Sequence, residues 1–286
     1  MCVTKLNAIM TLTKNFTKAG HIMKKFLLLL ALVILPVSAF AETQALKIGG
    51  LAAVIQKPEL TAGQKCKMVM ILHGFSGTKE FNLLTALADE LEKNGTASIR
   101  FDFNGHGQSY GKPENMTVLN EIDDAKKIFS YVKSLDYVDS ISIAGHSQGG
   151  VVASMLAGEL GSKNFDKLVL FAPAAVLRDD SIRGSVFGIT FDAGNPPERI
   201  KIFDNFSIGR DYVLTAQKLK IYETAKNFTG PVCLIHGLAD RIVPYTYSER
   251  YNYVYANSEL HLLDGVDHGF TNYWKEAAKI AANFLK

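Results

Sequence analysis

Ser147 stands in the run Ile143-Ala144-Gly145-His146-Ser147-Gln148-Gly149-Gly150, after the alternating segment Val138–Ile143 and before the apolar segment Val151–Ala157. A Gly-x-Ser-x-Gly at a strand-to-helix turn presents the serine hydroxyl as a nucleophile. Such a turn strains the serine backbone, and small residues two positions before and after it keep strand and helix from colliding. The plainer reading is a glycine-rich turn that merely contains serine, so the partners decide. A serine hydroxyl is a weak nucleophile until a base takes its proton. The chain order expected for this geometry is serine, then acid, then histidine. Asp240 lies in His236-Gly237-Leu238-Ala239-Asp240 and His268 in Gly265-Val266-Asp267-His268, each just beyond an apolar run. His268 would take the serine proton and return it to the leaving group, while Asp240 would hold the imidazole tautomer.

Each role has rivals. Asp264 and Asp267 neighbour His268, but an adjacent aspartate does not readily fold back onto the ring's other nitrogen. His236 opens the turn before Asp240 and His146 adjoins the nucleophile, so both compete for the base. His261 alternates within a strand and reads as packing, and His106 in its Gly-His-Gly loop reads as a brace. A tetrahedral oxyanion needs two preorganised N–H donors. The backbone N–H groups of Gln148 and Phe75 are the candidates, with Gly74 allowing the close turn and His73 structural.

The elements that must position these residues alternate between strand and helix patterns. Leu46–Ile48 and Leu51–Ile55 read as an opening antiparallel hairpin. Strands follow at Lys67–Leu72, Ala97–Phe103, Val138–Ile143, Lys167–Phe171, Pro231–His236 and Glu259–Leu263. Helical spacing marks Phe81–Asn94, the stretch from Asn120 (its expected N-cap, with Asp123 in the first turn) to Lys133, Thr246–Tyr255 and Thr271–Leu285. Repeated strand–helix units predict an α/β fold with a mainly parallel sheet covered on both faces. The rhythm breaks over about 176–229, which has no clear strand run and one helical stretch, Asp211–Lys226. This segment reads as an insertion at the carboxyl edge of the sheet, where a lid would lie.

The chain has 286 residues, 48% hydrophobic and 21% charged, which is ordinary globular composition. Five of its 31 basic residues lie in the acid-free first 41, leaving 26 against 28 acids in the remainder. That balance gives no reason to expect nucleic acid or an anionic membrane as partner. Lys24-Lys25, the apolar run Phe26–Val37 and Ser38-Ala39-Phe40-Ala41 have the form of a signal peptide, with cleavage expected after Ala41. The run is short for a bilayer span and predicts no lasting membrane anchor. Residues 1–41 are thus assigned to the signal region, with the signal proper from about Met23, and 42–286 to one domain. An exported protein, periplasmic or secreted, is the expectation; a precursor beginning at Met1 on N-terminal sequencing would remove Met23 as the start. Cys66 and Cys233 fall in apolar strands and are expected as buried free thiols. No Cys/His cluster has metal-ligand spacing, so no metal is expected.

Three further motifs accompany the serine turn: His73-Gly74-Phe75, Asp102-Phe103-Asn104-Gly105-His106-Gly107 and Glu114–Ile122, followed by Gly145–Gly158 and Pro231–Gly237. On these the chain resembles the α/β-hydrolase superfamily over nearly all of 42–286, and more narrowly the bacterial cinnamoyl (feruloyl) esterases. The resemblance implies an α/β-hydrolase fold with a lid over a hydroxycinnamoyl pocket, no cofactor, and a lid aspartate and tyrosine that meet the phenolic hydroxyl. Residue by residue these fall on Asp180 and Tyr212, with Asp179 and Asp211 as alternatives. Phe187 stands where a lid glutamine is common, which removes a polar contact. The expected activity is hydrolysis of hydroxycinnamate esters, small or polysaccharide-linked, through an acyl-enzyme. A general short-chain carboxylesterase, an acylglycerol lipase or thioesterase, and a silent binding protein on the same fold are the alternatives. A dinucleotide site at Gly145–Gly150 fails on glycine spacing.

Overall fold

The computed structural model describes residues 42–286; the segment read as a signal lies outside the described residues. Twelve strands and eight α-helices are described. An eight-stranded sheet has the order β1-β2-β4-β3-β5-β6-β11-β12. Its strands are β1 (Glu42–Ile48), β2 (Leu51–Lys57), β3 (Cys66–Leu72), β4 (Ala97–Phe101), β5 (Val138–His146), β6 (Leu168–Phe171), β11 (Val232–Gly237) and β12 (Ser258–Leu263). β2 runs antiparallel to β1 and β4, and every pair from β4 to β12 is parallel. This is the α/β-hydrolase fold, with the opening hairpin at one edge. β3 and β6 are near-continuous apolar runs, and β5, which alternates over Val138–Ile143, is buried from Ile141 onward, as strands covered on both faces require.

Helices α1 (Asn82–Lys93) and α8 (Trp274–Leu285) cover one face of the sheet. Leu83, Leu84, Leu87 and Leu91 of α1 are buried in the same cluster as Ala277, Ala278, Ala281 and Ala282 of α8, whose small side chains let the two helices approach closely. On the other face lie α2 (Val118–Lys133), α3 (Gln148–Leu160), α6 (Ile221–Ala225) and α7 (Thr246–Val254). The N-cap of α2 is Thr117, not Asn120. Thr117 Oγ1 accepts the Asn120 N–H at 3.1 Å and Asn120 Oδ1 accepts the Thr117 N–H at 2.9 Å, a reciprocal capping box. Asn120 is therefore a cap residue, but from inside the first turn.

Between β6 and β11 the chain leaves the main sheet. It forms α4 (Val176–Arg183), the hairpins β7 (Ser185–Val186)/β8 (Ile189–Thr190) and β9 (Arg199–Phe203)/β10 (Phe206–Gly209), then α5 (Arg210–Ala216) and α6. The expected absence of strands is corrected by these two hairpins. The expected helix over 211–226 is two helices, broken between Ala216 and Ile221. Val186, Ile200, Ile202, Ile208, Tyr212 and Val213 form a small core of their own with Met116.

Candidate active site

β5 delivers Ser147 and α3 leaves from it. The serine has φ 56°, ψ −123°, a strained conformation for a residue with a side chain. The backbone holds it there: the Ser147 N–H donates to the Phe171 carbonyl at 2.9 Å, and its own carbonyl accepts from Gly150, Val151 and Ala174. The neighbouring glycines are compulsory by proximity. A Cβ on Gly149 would sit 2.2 Å from the His73 carbonyl oxygen, and one on Gly74 would sit 2.8 Å from Ser147 Cβ.

His268, in the turn after β12, reaches Ser147 Oγ with Nε2 at 2.9 Å, and its Nδ1 lies 2.7 Å from Asp240 Oδ2. Since the carboxylate only accepts, Nδ1 carries the proton and Nε2 is free to accept the serine hydroxyl's. Asp240, in the turn after β11, has a fully buried side chain. Its Oδ1 accepts the N–H groups of Ile242 and Val243, each at 2.8 Å. Burial alone would raise its pKa. The hydrogen bonds from His236 and His268, with the His268 charge and the Val243 N–H, outweigh that and hold the carboxyl well below its ordinary range. The structure thus brings together Ser147, His268 and Asp240 in the order read from the sequence.

The rival residues surround this line without replacing it. His146 Nε2 donates to the His268 carbonyl at 2.9 Å, and burial, with the nearby His268, pushes its pKa down to about 3, so it is a neutral prop. His236 Nε2 faces two acceptors, Asp240 Oδ2 at 3.1 Å and the Val243 carbonyl at 2.9 Å, while its Nδ1 lies 2.6 Å from Ser248 Oγ. It therefore donates from Nε2 and accepts from the serine, orienting Asp240 from the side opposite His268. This positioning role was missed at the sequence level; the signal was a histidine at a strand end four residues before the acid. His106 braces its loop, with Nδ1 3.1 Å from the Asn104 carbonyl and its ring against His73 and Phe206. His261 pairs with Glu259 on the exposed edge strand.

The N–H groups of Phe75 and Gln148 donate to no protein acceptor among the described residues, as an oxyanion site requires. The Gln148 side chain is pinned from two directions. Its Nε2 donates to Glu121 Oε2 at 2.8 Å, and its Oε1 accepts from the Tyr212 hydroxyl at 2.8 Å. Burial, slightly offset by the Gln148 hydrogen bond, pushes the Glu121 carboxyl up to about 8. Glu121 was also missed; an acid on the apolar face of α2, beside Val118, Ile122 and Ala125, was the available clue.

A cavity of about 370 Å³ is lined by Ser147 and Gln148 and, from the inserted segment, by Asp180 and Tyr212 among others. Asp180 is half-buried; burial raises its pKa against the opposing pull of its partner Arg183. The alternative Asp179 accepts the Tyr247 hydroxyl at 2.7 Å instead, and Asp211 does not line the cavity. Phe187 lines the wall, 44% exposed, at the β7–β8 turn. Cys66 and Cys233 are buried free thiols. Among the described residues one group has metal-ligand proximity: Cys233, Glu259 and His261, within 4.8 Å, well outside this cavity's lining. Burial and the Glu259 charge drive the Cys233 thiol pKa far up, which opposes the thiolate a metal would need.

Residues 63–190 match the family described as Serine aminopeptidase, S33 (Hydrolase_4). Est1E from Butyrivibrio proteoclasticus, solved with ferulic acid bound, is similar in sequence and fold: 29% identity and TM-score 0.80, over 85% of this chain and 97% of that one. Lysophosphatidylserine lipase ABHD12 from Xenopus tropicalis is 25% identical over 182 residues, 62% of this chain and 44% of that protein. The quorum-quenching protein AidA from Acinetobacter baumannii is 34% identical over 86 residues, 29% of this chain and 28% of that protein. The chain therefore spans less than half the length of these curated relatives. The sheet order, the strained serine turn and these similarities make the chain an α/β-hydrolase that resembles the feruloyl esterases.

Proposed function

We propose that the protein hydrolyses hydroxycinnamate esters through a Ser147 acyl-enzyme. The observation that carries the reading is the cavity that joins Ser147 to Asp180 and Tyr212, together with the similarity to a structure that holds ferulic acid. Its volume suits one small aromatic acid. In this reading the ring lies in the cavity and the phenolic hydroxyl donates its one proton to Asp180, while Tyr212, whose own proton goes to Gln148, lines the wall beside it. A carboxylate in the cavity wall that accepts this proton would select phenolic acids, because an acyl group lacking the hydroxyl leaves that hydrogen bond unmade, at a cost of about 1–3 kcal/mol.

The chemistry follows from the atoms in place. Ser147 Oγ attacks the ester carbonyl carbon while His268 Nε2 takes the hydroxyl proton. The oxyanion is held by the N–H groups of Phe75 and Gln148, and Asp240 stabilises the imidazolium. The bond from carbonyl carbon to alcohol oxygen then breaks as Nε2 gives its proton to that oxygen. Water attacks the acyl-serine with His268 again as base, releasing the acid and restoring Ser147.

Turnover of methyl ferulate, methyl cinnamate and a short aliphatic ester at matched concentrations tests this, with Ser147→Ala as control. Ferulate should be preferred severalfold, and the variant should lose turnover by three orders of magnitude or more while still binding ferulic acid. Equal or faster aliphatic turnover would reduce the enzyme to a general carboxylesterase; full activity in Ser147→Ala would end the mechanism.

A further inference from the structure

Ser147 opens onto two chambers, and the proposed function uses only one. The second, of about 190 Å³, shares Phe75, Ser147, Phe187 and Ile242 with the first and is otherwise lined by different residues. Its walls are Phe75, Phe81, Phe187, Phe203 and Ile242, and it includes His268, which the larger cavity does not. That difference bears on which half of an ester goes where. The alcohol oxygen must receive its proton from His268 Nε2 as the C–O bond breaks, so the alcohol leaves on the side where His268 forms the wall. The acyl group takes the other side, toward Asp180 and Tyr212.

The chemistry of the second chamber then describes the alcohol. No charged side chain lines it. Apart from Ser147 and the histidines, its one polar side chain is that of exposed Ser76. His146 is neutral, and its Nε2 is taken by the His268 carbonyl. Four phenylalanines surround the space, and Phe75 packs on both Phe187 and Phe203. A sugar placed here would bring several hydroxyls to walls that offer almost no partners, and each one that gives up its water against them loses roughly tenfold in affinity. An alkyl chain would gain at every carbon.

Resting on the esterase reading above, we infer that this chamber is the leaving-group site and that it takes a compact apolar alcohol rather than the sugar of a feruloylated polysaccharide. The lid supplies much of the chamber wall: Phe203 of β9 lines it and does not line the acyl cavity.

The test varies the alcohol with the acyl group fixed. Ferulate esters of methanol, 1-propanol, 1-butanol and arabinose are compared by kcat/KM, which reports the acylation step. From methyl to butyl the value should rise about two- to fourfold per methylene, and the arabinose ester should fall at least about tenfold below the butyl ester. Phe203→Ser, at a side chain 45% exposed, should compress the butyl-to-methyl ratio at least about threefold, with its melting temperature as the check on folding. A flat or falling alkyl series, an arabinose ester faster than the butyl ester, or an unchanged ratio in Phe203→Ser would overturn the assignment. The same alcohols esterified to acetate separate the two readings. If the acyl preference is wrong, ferulates turn over no better than acetates but the alkyl rise persists in both; if the alcohol site is wrong, the rise is missing from both.

Discussion

Gly74 shows how narrowly the site is built. Its absent side chain leaves room for Ser147: a Cβ there would meet Ser147 Cβ at 2.8 Å and the His146 carbonyl oxygen at 3.2 Å, both fixed by the strained turn. Neither neighbour can yield, so Gly74→Ala must displace its own backbone, and with it the N–H of Phe75. Losing one oxyanion donor costs on the order of 10²–10³ in rate. The variant should therefore lose about 10² or more in kcat with KM for methyl ferulate within a fewfold, while its melting temperature separates this from unfolding. A rate within threefold of the parent would remove the Phe75 N–H from the mechanism. At this scale the sequence was legible where chemistry demands a residue type at a fixed chain position. Ser147, Asp240 and His268 come together as their order implied. His236 and Glu121 were not legible as site residues, because their roles depend on which buried polar group faces them across the fold. Spacing along the chain carries no such information.

The elements differ in how plainly the chain announces them. Most strands of the main sheet lie in apolar or alternating runs bounded by turns and end within three residues of the periodicity, whereas β1 begins at Glu42, four residues before the expected Leu46. Helix α2 begins three residues earlier than its pattern suggested, since Thr117 and Asn120 share the capping between them. The inserted segment was the least legible: β7 and β8 have two residues each, too few for any period to register, and α5 and α6 are separate short helices whose apolar faces answer to tertiary packing. Yet this segment presents the residues that would choose the substrate, Asp180 from α4 and Tyr212 from α5. Tyr212 is already committed to Gln148, whereas Asp180 has Arg183 as its partner and faces the cavity. Asp180→Ala should thus lower kcat/KM for 4-hydroxycinnamate esters by roughly 5- to 100-fold, the worth of a buried hydrogen bond, and leave cinnamates lacking that hydroxyl within about twofold. Comparable losses on both would mean that the aspartate shapes α4 rather than reading the phenol.

For the whole molecule, the buried titratable groups set a pH range, and Glu121 governs its upper side. His73 and His146, whose pKa values burial lowers to about 3, contribute stability that is full above their ordinary 6.5 and lost as pH falls toward 3. Glu121 acts in the opposite direction. Its pKa is raised from 4.5 to about 8 by burial, so the folded chain keeps a proton that the unfolded chain gives up. Its contribution is complete below about pH 4.5 and declines as pH rises to about 8, by up to about 5 kcal/mol from the size of the shift. Above that pH the carboxylate would be charged in a dry interior between Gln148 and α2, beneath the oxyanion donor. Glu121→Gln keeps an oxygen for the Gln148 amide and removes the ionisation. The two proteins should melt at similar temperatures near pH 4.5, and the variant should gain on the parent steadily from there to pH 8. A melting difference that does not change with pH would mean that Glu121 is already ionised in the fold, with its charge met by groups other than the Gln148 amide.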